Sequence, residues 1–189
     1  MEEKRLAYRM YFFVPYNISP IQQAIQAGHA GMEYVYTHQL RPELIHFMDD
    51  DKTWVVLNGG TTNSKIDEEI MLPFGTLNQI QENLQKNNID ISSFYEPDLN
   101  DALTAVCFLA DERVWDYKNY PNFFDFIVEV KMTVDAAEQM PAQNYIMLKG
   151  KTSEELKIMF PEWYPEWVKF LGGEKNLFLR ELLRGKKLA

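Results

Sequence analysis

Leu6-Ala7-Tyr8-Arg9-Met10-Tyr11-Phe12-Phe13-Val14, followed after a short break by Ser19-Pro20-Ile21-Gln22-Gln23-Ala24-Ile25-Gln26-Ala27-Gly28-His29-Ala30, carries the pattern of a strand that leads into a helix. Its first nine residues are aromatic-rich and nearly continuous in their apolar half, the pattern of a buried strand, and Pro15 and Asn17 stop it. Ser19 stands where it can accept from the first free N–H groups of a helix, Pro20 takes the first helical position, and Gln22 follows the cap by three residues. The spacing therefore predicts a helix from residue 20. At 3.6 residues per turn, Gln22, Gln26, His29 and Glu33 stack on one side, while Ile21, Ile25, Gly28, Met32 and Val35 form the apolar side, expected to face the core.

Three uncharged hydrogen-bonding side chains thus share a surface near the C-terminal end of a strand, the edge of an α/β sheet where ligands bind. Taken singly, Gln22 reads as the closing residue of a capping box, Gln26 as a solvated amide and His29 as a histidine satisfied by backbone. Taken together they read as a candidate site.

The run Ile21-Gln22-Gln23-Ala24-Ile25-Gln26-Ala27-Gly28-His29-Ala30 resembles the first helix of the type II (archaeal and eukaryotic) peptidyl-tRNA hydrolases, whose pattern is roughly G-K-x-A-A-Q-x-x-H-A. The glutamine and the histidine coincide at the family's spacing, and Gln22 stands where the family has lysine. Trp54-Val55-Val56-Leu57-Asn58 is similar to the family's second strand, and Glu96-Pro97-Asp98-Leu99-Asn100-Asp101-Ala102-Leu103-Thr104-Ala105-Val106 is similar in placement to its acidic loop and Thr-led final strand. The resemblance covers about residues 6 to 110. It implies hydrolysis of the ester of peptidyl-tRNA or N-blocked aminoacyl-tRNA, with Gln22, Gln26, His29, Asp98 and Thr104 as site residues and Glu96 in reserve as the acid. It also suggests a homodimer. No metal or other cofactor is expected.

Composition both permits and opposes that reading. The apolar share of this 189-residue chain, 46 %, is ample for a core. No segment approaches the ~18 consecutive apolar residues of a membrane span, and Met1-Glu2-Glu3-Lys4-Arg5 is not followed by a secretory hydrophobic run. Cys107, the single cysteine, falls in a strand pattern and reads as a buried thiol, which fits a reducing cytoplasm. Charge is the difficulty. Residues 1–130 hold 9 Lys and Arg against 20 Asp and Glu, whereas residues 131–189 hold 10 against 8. A polyanion is repelled by so acidic a core, so contact with a tRNA 3′ end would fall to Arg180, Arg184, Lys186 and Lys187. The acidic runs Asp49-Asp50-Asp51 and Asp67-Glu68-Glu69 read as solvated loops rather than metal sites.

Further along, Pro42 to Met48 forms a short helix and 53–58 a strand; Asn58-Gly59-Gly60-Thr61-Thr62-Asn63 could cradle an anion with backbone N–H groups, but no lysine of P-loop type follows, and it reads as a turn bordering the site. Residues 64–74 read as an irregular insertion, Thr76-Leu77-Asn78-Gln79 as a second capping box opening a helix to about Lys86, and 89–95 and 103–109 as two strands joined by a loop short enough for a hairpin. Strands separated by helices imply right-handed crossovers and helices on both faces. The expected fold is α/β: a three-layer α/β/α domain over 1–115 with a four-stranded mixed sheet, plus an aromatic-rich helical C-terminal extension over 116–189 that packs on the core or on a partner. In that extension Asn122 and Thr152 read as caps, and Gly172-Gly173 introduces a last helix with an apolar stripe of Leu177, Phe178, Leu182 and Leu183; packing on its own core is the default, with Trp163 and Trp167 the interface anchors if a partner exists.

Two function classes remain at this stage. One is the ester hydrolase. The other is a catalytically inactive binding module that uses the same pocket for a nucleotide, a small metabolite or a protein segment, favoured by the missing lysine and the acidic core.

Overall fold

The computed structural model describes residues 5–64, 69, 75–131, 148 and 150–189. The chain divides into two compact units, Met1–Glu112 with Leu182–Ala189, and Arg113–Glu181.

The first unit is the expected α/β sheet: β1 (Tyr8–Pro15), α1 (Pro20–His38), α2 (Pro42–His46) running into a π-helical turn at Phe47–Asp51, β2 (Thr53–Gly60), α3 (Thr76–Lys86), β3 (Ile91–Glu96), and β4 (Ala102–Asp111). The four strands lie in the order β2-β1-β4-β3. β1 and β2 are parallel across the α1–α2 crossover, whereas β4 is antiparallel to both β1 and β3. The sheet is therefore mixed, as the helix-separated first pair and the hairpin-linked last pair predict.

Alternation along β1 sorts its side chains onto two layers. Met10, Phe12 and Val14 pack with Ala105 and Cys107 of β4 against Ala27, Ala30 and Tyr34 of α1. Tyr11 and Phe13 face the other way and approach Phe108 at centroid distances of 5.6 and 6.3 Å. Lys186 lies over the Phe13 ring and shares a cleft with Gln79, Ile80 and Asn83, which places α3 on that second face. Leu77, Ile80 and Leu84 of α3 are buried there. The outer edge of β2 is covered by the end of the chain. Asn58 N–H donates to the Lys187 carbonyl and Ala189 N–H to the Val56 carbonyl, at 3.0 and 3.1 Å.

Helix α1 begins as predicted, with Ser19 and Gln22 closing a reciprocal capping box. Its orientation about its own axis differs from the sequence reading. The buried positions are Gln23, Gln26, Ala27, Ala30, Gly31 and Tyr34, while Ile21, Ile25 and Met32 stand in the open. Small residues decide this outcome: Gly31 admits the Phe12 ring and Trp54, and a Cβ there would already stand at 3.3 to 3.4 Å from them. The helix lies on the sheet through its Ala/Gly face and leaves its bulkiest aliphatics outside.

The expected capping box at Thr76–Gln79 is absent; Gly75 occupies the cap position with no side-chain bond. Thr76 is otherwise engaged, since its hydroxyl donates to the Gly59 carbonyl and accepts from Thr61 N–H at 2.9 and 2.8 Å. Residues 58–63 form the turn expected there, tied to the start of α3. Gly60 N–H donates to Asn58 Oδ1, Thr76 N–H to Thr61 Oγ1, Leu77 N–H to the Thr61 carbonyl and Gly75 N–H to Asn63 Oδ1. Loop oxygens thus accept from the first N–H groups of the helix that follows, so the loop works as a latch. Asp51 is likewise structural, accepting from Tyr8 N–H at 2.8 Å, with Arg5 bonded to Asp50 and Asp51. Most of the insertion at 64–74, including Asp67 and Glu68, lies outside the described residues.

The second unit gathers Phe123, Phe126, Ile127, Leu148, Leu156, Trp167, Val168 and Leu171 into a separate core. Asn122 caps the short helix α5 (Phe123–Asp125), which follows α4 (Glu112–Trp115). Thr152 and Glu155 form the capping box of α6 (Ser153–Met159), and the Thr152 backbone N–H, aided by Lys151, pulls the Glu155 carboxyl down to about 2. Trp167 of α7 (Trp163–Phe170) follows the default of core packing: it is buried and donates Nε1–H to the Pro121 carbonyl at 3.0 Å. Trp163 stacks on Phe160. In the last helix, α8 (Glu174–Leu183), Asn176, Leu179 and Arg180 are buried, the stripe of Leu177, Phe178, Leu182 and Leu183 is half-buried, and Leu177 packs against the second core. No described helix is long and apolar enough to cross a membrane.

Candidate functional site

Three residues from distant parts of the sequence meet under α1. The Thr104 hydroxyl donates to Gln26 Oε1 at 2.8 Å, and Gln26 Nε2 donates to Glu96 Oε2 at 2.6 Å. Thr104 is fully buried and Gln26 nearly so, while Glu96 is half-buried. Its other oxygen, Oε1, faces the Asp98 N–H at 3.5 Å across the 3-10 turn Pro97–Leu99.

A break in the β3–β4 ladder positions Thr104. Phe94 pairs with Ala105 and Tyr95 with Leu103, so Thr104 has no partner of its own. Such a bulge turns two successive side chains toward one face. Ala105 therefore packs in the α1-side core while the adjacent Thr104 also reaches α1. The hydroxyl in turn fixes the amide. A carboxylate can only accept, so Gln26 must present its NH2 to Glu96 and its oxygen to Thr104.

His29 lies one turn further along α1, exposed, its ring stacked on Phe94 at 4.4 Å between centroids and 18° between planes. Phe94 escapes the sequence reading, although its place two residues before Glu96 puts it on the same side of β3. Gln22 sits at the exposed start of the helix with Oε1 committed to Ser19 N–H and the Ser19 hydroxyl at 3.0 and 2.9 Å. Asp98 is exposed on the hairpin turn. Thus Gln26 and Thr104 come together, His29 flanks them, Glu96 is the carboxylate that joins them, and Gln22 and Asp98 stand outside this chain of bonds.

The neighbouring thiol is inert. Cys107 is buried, donates to the Ala30 carbonyl at 3.1 Å, and is pushed up to about 12 by its burial. Of the basic residues expected at the C-terminus, Arg180 is buried, donating to the Arg113 and Tyr120 carbonyls at 2.6 and 2.9 Å. Among the described residues no cluster of three or more His, Cys, Asp or Glu is arranged to hold a metal ion.

The network makes a direct stability prediction. Thr104→Val keeps the shape but leaves Gln26 Oε1 buried without its donor, an expected loss of about 1–3 kcal/mol. Thr104→Ser restores the hydroxyl and should recover most of it. Denaturant unfolding of the two variants beside the parent measures the difference.

No protein-family model matches this chain, and no curated protein matches it.

Proposed function

We propose that Thr104, Gln26 and Glu96 form the working centre of an aminoacyl-ester hydrolase of the peptidyl-tRNA hydrolase type, acting on peptidyl-tRNA or N-blocked aminoacyl-tRNA. The observation that carries this reading is the continuous hydrogen-bonded chain from the Gln26-x-x-His29 helix to the acidic loop and the threonine of the last strand.

In this mechanism Glu96 orients a water molecule and takes its proton as the oxygen attacks the ester carbonyl. The bond from carbonyl carbon to ribose oxygen then breaks, and the proton passes to the leaving hydroxyl. Gln26 acts as a positioning residue by holding Glu96, and Thr104 by fixing the Gln26 amide. The His29–Phe94 stack at the rim offers a flat aromatic surface suited to a nucleobase.

A second reading has its own support. Gln22 replaces the family lysine and closes a capping box, so it supplies no positive charge for an oxyanion or phosphate, and removing one such stabilising group commonly costs about 3 kcal/mol. Under that reading the pocket binds a ligand without turning it over. Incubation with N-blocked aminoacyl-tRNA and measurement of free tRNA separates the two. If only the cation is lacking, Gln22→Lys should raise release by about 10²-fold; no gain, together with no release by the parent, favours the binding module.

A further inference from the structure

The second face of the sheet carries a polar cleft of about 370 Å³ that the proposed hydrolysis leaves unused. It starts in α3, where Gln79, Ile80 and Asn83 lie about one turn apart and share a side of the helix. Across from them stand Asn58 of β2 and, near the end of the chain, Leu182 and Lys186. The bond from Asn58 N–H to the Lys187 carbonyl, 3.0 Å long, holds Asn58 beside Lys186. Ile80 is buried and Leu182 half-buried, so the cleft joins apolar side chains to three carboxamides. No carboxylate is among its lining residues, in a chain with 28 Asp and Glu against 19 Lys and Arg. Lys186 is also unusual among the cations. Arg5, Arg41, Lys86 and Lys151 each meet a carboxylate of this chain, whereas the Lys186 ammonium has no ion pair among the described residues and rests over the Phe13 ring at 5.6 Å.

We infer that this cleft binds a small polyhydroxylated carboxylate, a ligand of sugar-acid chemistry. A carboxylate only accepts hydrogen bonds, and the corner made by Lys186 and Asn58 only donates them. Asn58 Oδ1 already accepts from Gly60 N–H at 2.8 Å, which leaves Nδ2 as the end presented to a ligand. Hydroxyl groups both donate and accept, as carboxamides do, so Gln79 and Asn83 match the hydroxyls of the same molecule. The C–H face of its ring suits Ile80 and Leu182. Ligand sites span roughly 300–1,000 Å³, so this cleft, at the small end, has room for one ring rather than a nucleotide or a peptide. Charge selects the carboxylate over a phosphate ester. One ammonium balances one negative charge, and a second would meet the field of a chain at −9 with nothing to offset it.

The inference is independent of the proposed hydrolysis, because Phe13 and Lys186 lie on the face of the sheet opposite α1 and the Thr104–Gln26–Glu96 chain. Its test is titration of the isotope-labelled full chain with glucuronate, glucose and glucose 6-phosphate, following the side-chain amide resonances of Asn58 and Asn83. The expected result is a saturable shift of both amides by glucuronate with Kd of about 1 mM or below. Glucose should bind about tenfold more weakly or less, and glucose 6-phosphate no more tightly than glucuronate. Lys186→Met keeps the stem over Phe13 and removes the charge, so it should weaken glucuronate by about tenfold or more, whereas Lys187→Met, the same loss of charge one residue away, should leave it within about twofold. Absence of saturation by about 20 mM glucuronate, equal binding in Lys186→Met, or equal losses in the two lysine variants would overturn the proposal. Tighter binding of glucose 6-phosphate would overturn the carboxylate in favour of a phosphate ester.

Discussion

Glu96→Gln is expected to lower ester turnover by about 10²–10⁴-fold, the range a positioned general base supplies, while Asp98→Asn leaves it within about twofold. The two carboxylates are separated by one proline, and both fit the acidic loop as a sequence. Their surroundings differ. Glu96 Oε2 receives the Gln26 amide at 2.6 Å, half-buried beside Thr104, whereas Asp98 stands exposed on the turn. Substitution by glutamine keeps an oxygen for Gln26 Nε2 to bond, so the network and the fold persist while the group that accepts a proton is gone. The comparison therefore separates chemistry from structure. Equal losses in the two variants, measured as free tRNA released per minute, would move the catalytic carboxylate away from the Gln26 network.

The second large effect is on stability. Gly60→Ala should cost about 3 kcal/mol and lower the unfolding temperature by roughly 10 °C, because it combines three penalties. Gly60 ends β2 at φ +83°, where side chains are strained, and a Cβ there would overlap Thr76 Oγ1. That hydroxyl cannot withdraw cheaply, since it bridges the Gly59 carbonyl and the Thr61 N–H. Strain, steric displacement and two lost hydrogen bonds thus fall on one substitution. Circular dichroism melts check it. A melt within about 2 °C of the parent would mean that the latch joining β2 to α3 contributes little. Gly28→Ala, with open space at its Cβ, serves as the tolerated comparison.

The order of elements was legible because its signals are local. Apolar runs, the Ser19–Gln22 and Thr152–Glu155 boxes and the short Pro97–Asp101 loop each report on a few neighbouring residues, and the structure has a strand, a cap or a hairpin at each. The side of α1 that meets the sheet was not legible from hydrophobicity. Periodicity assigns the bulky Ile21, Ile25 and Met32 to the core, but close approach to Phe12 and Trp54 requires Ala27, Ala30 and Gly31 in that place. Shape overrode hydropathy, and the same reversal brought Gln26 inside while leaving an apolar seam outside. Position 104 shows a second limit. Strict alternation along β4 puts Thr104 and Ala105 on opposite faces, and only the unpaired residue between the Phe94 and Tyr95 registers turns both toward α1. Side chains already occupied by local bonds were a third. Thr76 looks like a cap and works as a bridge.

The proposed hydrolysis of an aminoacyl ester by the Thr104–Gln26–Glu96 chain stands or falls on single-turnover incubation of excess protein with N-acetyl-aminoacyl-tRNA, monitoring free tRNA against time. The expected result is first-order release that saturates with protein concentration and is absent in Glu96→Gln. A folded parent protein that releases no tRNA above the spontaneous rate would rule the hydrolase out.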